Sequence, residues 1–285
     1  MSSKLRSIIE SVIGRTPQAI VPLSGGCVAE VYKIRLPDNS SIVAKVDRSQ
    51  PARLLQEGAM LSYLARHSHL PVPTVIYCSE AVLLMDYVEG ESSFTNAAQE
   101  HAAELLATLH GISADSFGFE YDTLIGGLHQ PNPRTKSWIP FFRDQRLLYM
   151  GAEAVRAGRM PQIMLGRLEK FAEKLTTWLE EPNQPSLIHG DVWTTNVLAK
   201  GGRITGFVDP AVYYAHPEIE LAFTTLFGTF SAAFFQRYNE LRPIQSGFME
   251  VRRDIYNLYP LLVHVRLFGG SYLQSVDSIL SRLGY

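Results

Sequence analysis

The apolar positions at the start of the chain fall at helical spacing. Leu5, Ile8, Ile9, Val12 and Ile13 share one face, and Gly14 follows as a stop. The period then shortens. Ala19 to Leu23, Ala29 to Leu36 and Ser41 to Asp47 are rich in alternating and β-branched residues, with Pro37-Asp38-Asn39 as the turn between the last two. This pattern predicts an antiparallel meander. A helix from Pro51 through Leu64 follows, and Thr74 to Cys78 and Ala81 to Tyr87 supply two more strands. The first part of the chain is therefore expected to be a five-stranded antiparallel sheet with helices.

Beyond it the helical period dominates. Ala98, Ala102, Leu105, Leu106 and Leu109 mark a helix over 97–110. Further helices are predicted over 138–157, 161–180, 217–230, 231–242 and 248–279, the last broken near Tyr259-Pro260 because proline has no amide hydrogen to donate. Between them, Phe117 to Pro133 reads as an ordered loop, since Phe117, Phe119 and Tyr121 are too apolar for a free linker. The expected architecture is α+β in two lobes, residues 1–88 and 89–285, with a hinge between Asp86 and Glu91.

Composition narrows the function classes. The chain has 285 residues, 46% hydrophobic and 19% charged, with a formal net charge of -2. That is enough chain for a large core, and there is no charge excess suited to nucleic acid. The N-terminus lacks the apolar core of a signal peptide and no apolar run reaches membrane-spanning length, so a cytoplasmic protein with neither a membrane nor a nucleic-acid partner is expected. Two cysteines, Cys27 and Cys78, argue against a disulfide framework or a thiolate zinc cluster.

The densest chemistry lies in Leu187-Ile188-His189-Gly190-Asp191-Val192-Trp193-Thr194-Thr195-Asn196, followed by Phe207-Val208-Asp209-Pro210. A kinase catalytic loop needs an Asp to accept a hydroxyl proton, an Asn a few residues later to hold metal, and a second metal-binding Asp beyond the next hairpin. Asp191, Asn196 and Asp209 fill those places. Asp191 is expected to be the catalytic base, with Asn196 and Asp209 as magnesium ligands and His189 as a loop-packing residue. A structural loop with scattered carboxylates is the plainer reading, and the joint spacing disfavours it.

The first lobe supplies matching phosphate chemistry. Ser24, Gly25, Gly26 and Cys27 join two predicted strands where backbone amides can approach a polyphosphate. Taken alone, this is also how an ordinary glycine hairpin looks. Ile42-Val43-Ala44-Lys45 resembles the strand whose Lys contacts the α- and β-phosphates, and Glu57 is its carboxylate partner. Met85, Asp86, Tyr87 and Val88 read as the strand entering an adenine-binding hinge, where backbone groups make the hydrogen bonds. ATP and Mg2+ are the implied cofactors.

Over nearly its whole length the sequence resembles the fructosamine (ketosamine) kinases, a branch of the aminoglycoside-phosphotransferase-like, protein-kinase-like superfamily. The resemblance is carried by His189 to Asn196, by Asp209-Pro210-Ala211-Val212-Tyr213-Tyr214-Ala215-His216-Pro217-Glu218, by Leu226-Phe227-Gly228 and by Leu267-Phe268-Gly269-Gly270. Phe117-Gly118-Phe119 and Phe141 to Arg146 agree as well. Thr194-Thr195 replaces the family's Ser-Gly, Pro217 its Arg, and Glu220 stands where an Asp is usual. Glu220 is expected to support the catalytic loop through its longer side chain.

The resemblance implies ATP-dependent phosphorylation of a sugar hydroxyl, the 3-OH, in a ketosamine, free or protein-bound. The phosphorylated adduct would be labile and release its amine. Trp193, Tyr214, His216, Glu218 and His264 are the candidate substrate residues, with Trp193 stacking on the sugar. For the other aromatic residues core packing is the competing reading. Cys27 is a candidate redox-sensitive thiol beside the phosphate amides. Rival readings are a kinase for an aminoglycoside, choline or related amino alcohol, and a nucleotide-binding pseudokinase. Monomer and homodimer both remain open.

Overall fold

The computed structural model describes residues 2–23, 29–47 and 53–285. Helix α1 (Ser2–Ile13) precedes strands β1 (Ala19–Leu23), β2 (Glu30–Arg35) and β3 (Ser41–Val46). Helix α2 (Arg53–His67) then leads to β4 (Val75–Cys78) and β5 (Val82–Asp86). The five strands form one antiparallel sheet in the order β1-β2-β3-β5-β4. Side chains alternate across a strand, so β3 divides its residues between two small cores. Ile42, Ala44 and Val46 pack with Leu5 and Ile9 of α1, whereas Val43 packs with Leu54 and Leu61 of α2. The same alternation sends Lys45 to the α2 face, where Glu57 waits.

The second lobe opens with α3 (Asn96–Leu109), capped by Thr95, whose hydroxyl accepts from the Ala98 amide. The stretch from Phe117 to Pro133 contains a hairpin rather than only loop: β6 (Thr123–Ile125) and β7 (Leu128–Gln130) pair across Gly126-Gly127. Strands this short carry no readable period, which is why the sequence suggests a loop there. Helix α4 (Trp138–Phe142) runs through a π-helical stretch, Arg143–Leu148, into α5 (Tyr149–Arg156). Helix α6 (Gln162–Ala172) ends well before Glu180, and only a 3-10 turn at Leu175–Thr177 follows.

The site-bearing segment consists of β8 (Ser186–Ile188), β9 (Val197–Lys200), β10 (Arg203–Phe207) and β11 (Tyr213–Ala215). β9 pairs with β10, and β11 returns to pair with β8. Helices α7 (Glu218–Leu226), α8 (Ala232–Leu241), α9 (Arg253–Phe268) and α10 (Ser271–Arg282) complete the lobe.

The expected break at Tyr259-Pro260 is corrected by the structure, because α9 passes through Pro260. Every α9 residue from Ile255 to Val265 is buried, most of them in the main core. That burial outweighs a proline cost of about 3 kcal/mol. The helix stops instead at Gly269 and Gly270, whose φ values of 67° and 62° lie in the left-handed region. Among the described residues no helix is long and apolar enough to cross a membrane.

Candidate active site

The loop between β8 and β9 is shaped by one glycine and one buried carboxylate. Gly190 has φ 87°, and a Cβ there would lie 2.1 Å from the Ala211 carbonyl oxygen, so no other residue fits without displacing backbone. The Glu220 carboxylate accepts from the Gly190 amide at 2.6 Å and from the His189 amide at 3.4 Å. His110 Nε2 donates to the same carboxylate at 2.9 Å, and the Tyr238 hydroxyl completes the chain at His110 Nδ1, 2.7 Å away. Burial opposes the Glu220 charge, but His110, His189 and the Gly190 amide together hold its pKa below the usual carboxylate value. Glu220 therefore does support the loop. Sequence reasoning missed His110, since a lone His on a helix gives no local signal of its partner.

Held by this frame, Asp191 faces Asn196. Asn196 Nδ2 donates to Asp191 Oδ2 at 2.8 Å and to the Asp191 carbonyl at 3.0 Å. Burial first, and then the negative charge of Asp209, push the Asp191 carboxyl up to about 8, while the Asn196 hydrogen bond pulls the other way. His189 is fully buried beneath the loop and accepts the Asp191 amide at Nδ1, which agrees with a packing role.

Lys45 joins the two lobes. Its ammonium donates to Glu57 at 2.6 Å and also contacts the Asp209 carboxylate. Burial disfavours the Lys45 charge, yet Asp209 and Glu57 more than compensate and raise its pKa. Asp209 has φ 55°, a left-handed conformation unusual outside glycine and a mark of a locally imposed geometry. Lys45, Glu57, Asp191, Asn196 and Asp209 all line one cleft between the lobes.

The donor set at this cleft suits magnesium. The Asn196 amide is turned with its nitrogen toward Asp191, which leaves the amide oxygen and the Asp209 carboxylate as candidate donors, all hard oxygens. No cluster of three or more His, Cys, Asp or Glu residues among the described residues could hold a metal on its own. Two protein oxygens completed by phosphate and water is how magnesium is held at nucleotide sites.

The remaining nucleotide candidates are placed as follows. Met85 is buried in the small-lobe core opposite Val43. Asp86 ends β5, and its amide donates to the Thr74 carbonyl. The Lys33 ammonium lies 3.6 Å from the Tyr87 ring centroid. Val88 packs on Gly206 of β10 so closely that a Cβ there would meet Val88 Cγ1 at 2.7 Å. Ser24, Gly25, Gly26 and Cys27, with the proposed redox role of Cys27, lie outside the described residues.

The substrate candidates divide. Trp193 and His264 line the cleft, with ring centroids 6.2 Å apart and perpendicular planes. His264 Nδ1 donates to the Pro260 carbonyl at 2.7 Å, and burial lowers its pKa, which favours the neutral ring with Nε2 as an acceptor. Three expectations are corrected. Tyr214 shares a hydrogen bond of 3.1 Å with Tyr63 and packs near Phe119, outside the cleft. His216 is wedged between Trp138 and Tyr256, where its Nδ1 accepts the Glu218 amide. Glu218 forms a buried two-pronged pair with Arg252, both contacts at 2.7 Å. Once β11 pairs with β8, this segment turns toward the core and the far face of the lobe. Phe223 and the β6–β7 turn at Leu124 to Gly127 also line the cleft without having been expected there. The Gly126-Gly127 pair is a turn signal that marks this segment in the sequence.

Comparison with known proteins agrees with this geometry. The family model described as fructosamine kinase matches residues 1–284. A relative from Synechocystis sp., named "Probable ketoamine kinase", is 32% identical over 275 residues, covering 91% of this chain and 88% of the relative. The chloroplastic protein-ribulosamine 3-kinase of Arabidopsis thaliana is 29% identical, covering 90% and 80%. Among solved structures, a candidate fructosamine-3-kinase from Thermobifida fusca superposes with a TM-score of 0.88 at 28% identity, covering 99% of both chains. An aminoglycoside phosphotransferase solved with ADP and hygromycin B shares the fold, with a TM-score of 0.71 at 16% identity, covering 99% of this chain and 100% of that one.

Proposed function

The chain belongs to the fructosamine kinase family, and from that premise we propose that it transfers the γ-phosphoryl group of ATP to the 3-hydroxyl of a ketosamine, with magnesium as the metal. The observation that carries this reading is Lys45 bound to both Glu57 and Asp209 at the cleft that also holds Asp191 and Asn196. Phosphoryl transfer asks for little beyond positioning and charge neutralisation, and these five residues supply both.

Asp191 stands as the base. In its ionised form, a carboxyl whose proton affinity is raised by burial is a stronger base toward a hydroxyl proton than an exposed one, and a positioned base contributes roughly 10²- to 10⁴-fold. The Asp191 carboxylate takes the proton as the acceptor oxygen bonds to phosphorus, the bond to the bridging oxygen breaks, and ADP leaves. Lys45, aligned by Glu57, holds the α- and β-phosphates. Asn196 and Asp209 would hold magnesium, which supplies neutralisation of the phosphate charge when bound. Trp193 offers an apolar plane for the sugar, and His264 Nε2 accepts one of its hydroxyls. Phosphate at the 3-position makes the adduct labile and frees the amine, a deglycation. The reading extends to a cytoplasmic enzyme acting on free or protein-bound adducts.

The test is direct. Purified protein with ATP and Mg2+ is offered ribulosyl- and fructosyl-amines beside an aminoglycoside and choline, and the product is read by 31P and 13C NMR. One phosphate at the ketosamine 3-oxygen per ADP formed is the expected result. Transfer confined to the aminoglycoside or choline, or nucleotide binding without transfer, would overturn it.

A further inference from the structure

The wall of the cleft that Trp193 forms with α9 has a chemistry that the transfer reaction does not require. From Trp193 outward, aromatic rings follow one another toward solvent. Trp193 and His264 lie 6.2 Å apart, His264 and Phe268 5.8 Å, and Phe268 and Tyr272 6.1 Å, centroid to centroid. The outermost of the cleft-lining rings, Phe268, is 50% exposed despite its size, so its apolar face is open at the mouth of the cleft. The turn of the β6–β7 hairpin lies over this strip, close enough that a Cβ on Gly126 would lie 3.0 Å from Leu267 Cδ1. An open aromatic surface continuous with a catalytic cleft marks a ligand-contacting surface.

The acidic residues lie elsewhere. Among the described residues the carboxylates lining the cleft are Asp47, Glu57, Asp191 and Asp209, which belong to the Lys45 end and the catalytic loop. The undescribed segments 24–28 and 48–52 contain no Asp or Glu in their sequence. Glu218 and Glu220, the acids nearest in sequence to the site, are committed to Arg252 and to the catalytic loop. His264 on the strip donates Nδ1 to the Pro260 carbonyl, and burial lowers its pKa. A site built for a polycation would place carboxylates along this wall, and one built for an acid would place Arg or Lys there. Among the described residues that line the cleft, those of α9 and of the β6–β7 turn include no Asp, Glu, Arg or Lys, and the cleft cations Lys45 and Arg53 lie with Glu57 and Asp47.

We propose that the strip of Trp193, His264, Phe268 and Tyr272 beneath the β6–β7 turn is a subsite for the amine-borne arm of the ketosamine, and that it selects uncharged apolar or aromatic arms. The proposal rests on the ketosamine-kinase reading and adds specificity to it. The sugar sits by Trp193 and Asp191, and the substituent on its nitrogen leaves along the rings toward Phe268. Charged arms would leave water for cleft walls in which α9 and the β6–β7 turn offer no Asp, Glu, Arg or Lys among the described residues, which is the source of the discrimination.

The experiment compares three adducts of one sugar that differ only in the arm: benzylamine, ethylenediamine and glycine. The benzylamine adduct is expected to exceed both others by about tenfold in kcat/KM, mostly through KM, as partial burial of one ring against an apolar wall implies. Phe268→Ser should compress that preference to within about twofold, and Phe268→Trp should restore it. Equal kcat/KM for the three arms, a preference for the diamine, or an unchanged ratio in Phe268→Ser would overturn the subsite. The wild-type comparison decides the matter even if the serine variant folds poorly. Failure to phosphorylate any of the three would instead remove the parent reading, so the two failures are distinguishable.

Discussion

The Glu220 carboxylate accepts the Gly190 amide at 2.6 Å, and this one contact ties helix α7 to the turn that presents Asp191. The same carboxylate accepts a hydrogen bond from His110 Nε2 at 2.9 Å, so a side chain of this length spans two partners that lie on different elements. Glu220, His110 and the loop form a buried unit in which each polar group answers another.

Breaking that unit should be costly. Glu220→Ala leaves His110 and two loop amides without an acceptor, and removing one member of a buried charged network typically costs about 3–5 kcal/mol. Urea unfolding measures the loss. In the fraction that folds, kcat should fall further than the KM for ATP changes, because the displaced element is the Asp191 loop rather than the Lys45 side of the cleft. A stability change below about 1 kcal/mol would mean the network contributes little.

Asp191→Asn keeps the shape and the contact with Asn196 but removes the proposed proton acceptor. The expected outcome is a fall in kcat of roughly 10²- to 10⁴-fold. Nucleotide affinity, followed by calorimetry, should stay within about threefold, a change below about 0.7 kcal/mol. Full activity in this variant would assign the base elsewhere.

Tyr214→Phe tests the placement of β11. The hydroxyl removed bonds to Tyr63 at 3.1 Å and lies outside the cleft. Stability should drop by about 1 kcal/mol and kcat/KM for a ketosamine should remain within about twofold. A large rise in KM would return this residue to the substrate.

His216 gives the pH signature of the fold. Burial, followed by Arg252 and His110, lowers its pKa from 6.5 to about 3. Above pH ~6.5 the imidazole is neutral in both the folded and unfolded chain and contributes no pH dependence. As pH falls below that value the unfolded chain takes up a proton that the folded chain refuses, and stability declines down to about pH 3. The slope contributed approaches about 1.4 kcal/mol per pH unit. Denaturation curves at pH 7.5, 6 and 5 should show this decline in the wild type and a shallower one in His216→Asn.

Much of the site was legible because its parts are local. The spacing from Asp191 to Asn196 and on to Asp209 lies within one loop and hairpin, so sequence distance constrains spatial distance. Lys45 and Glu57 were legible for a related reason: a period of two fixes which face of β3 carries Lys45, and α2 covers that face. The hairpin at Thr123–Gln130 was not legible, because three-residue strands give no period to read.

By itself the sequence determined the five-stranded sheet, the mostly helical second lobe, the order of the candidate catalytic groups and the likeness to one kinase family, since each depends on periodicity or on short-range spacing. The tertiary structure decided the facing of residues on elements too short to announce it. Tyr214, His216 and Glu218 turned away from the cleft when β11 paired with β8, and the strip from Trp193 to Tyr272 was assembled from the catalytic loop and the two C-terminal helices. Which side chains share a cavity follows from how elements pack, and packing is settled by burial summed over the whole core rather than by any residue's neighbours in the chain.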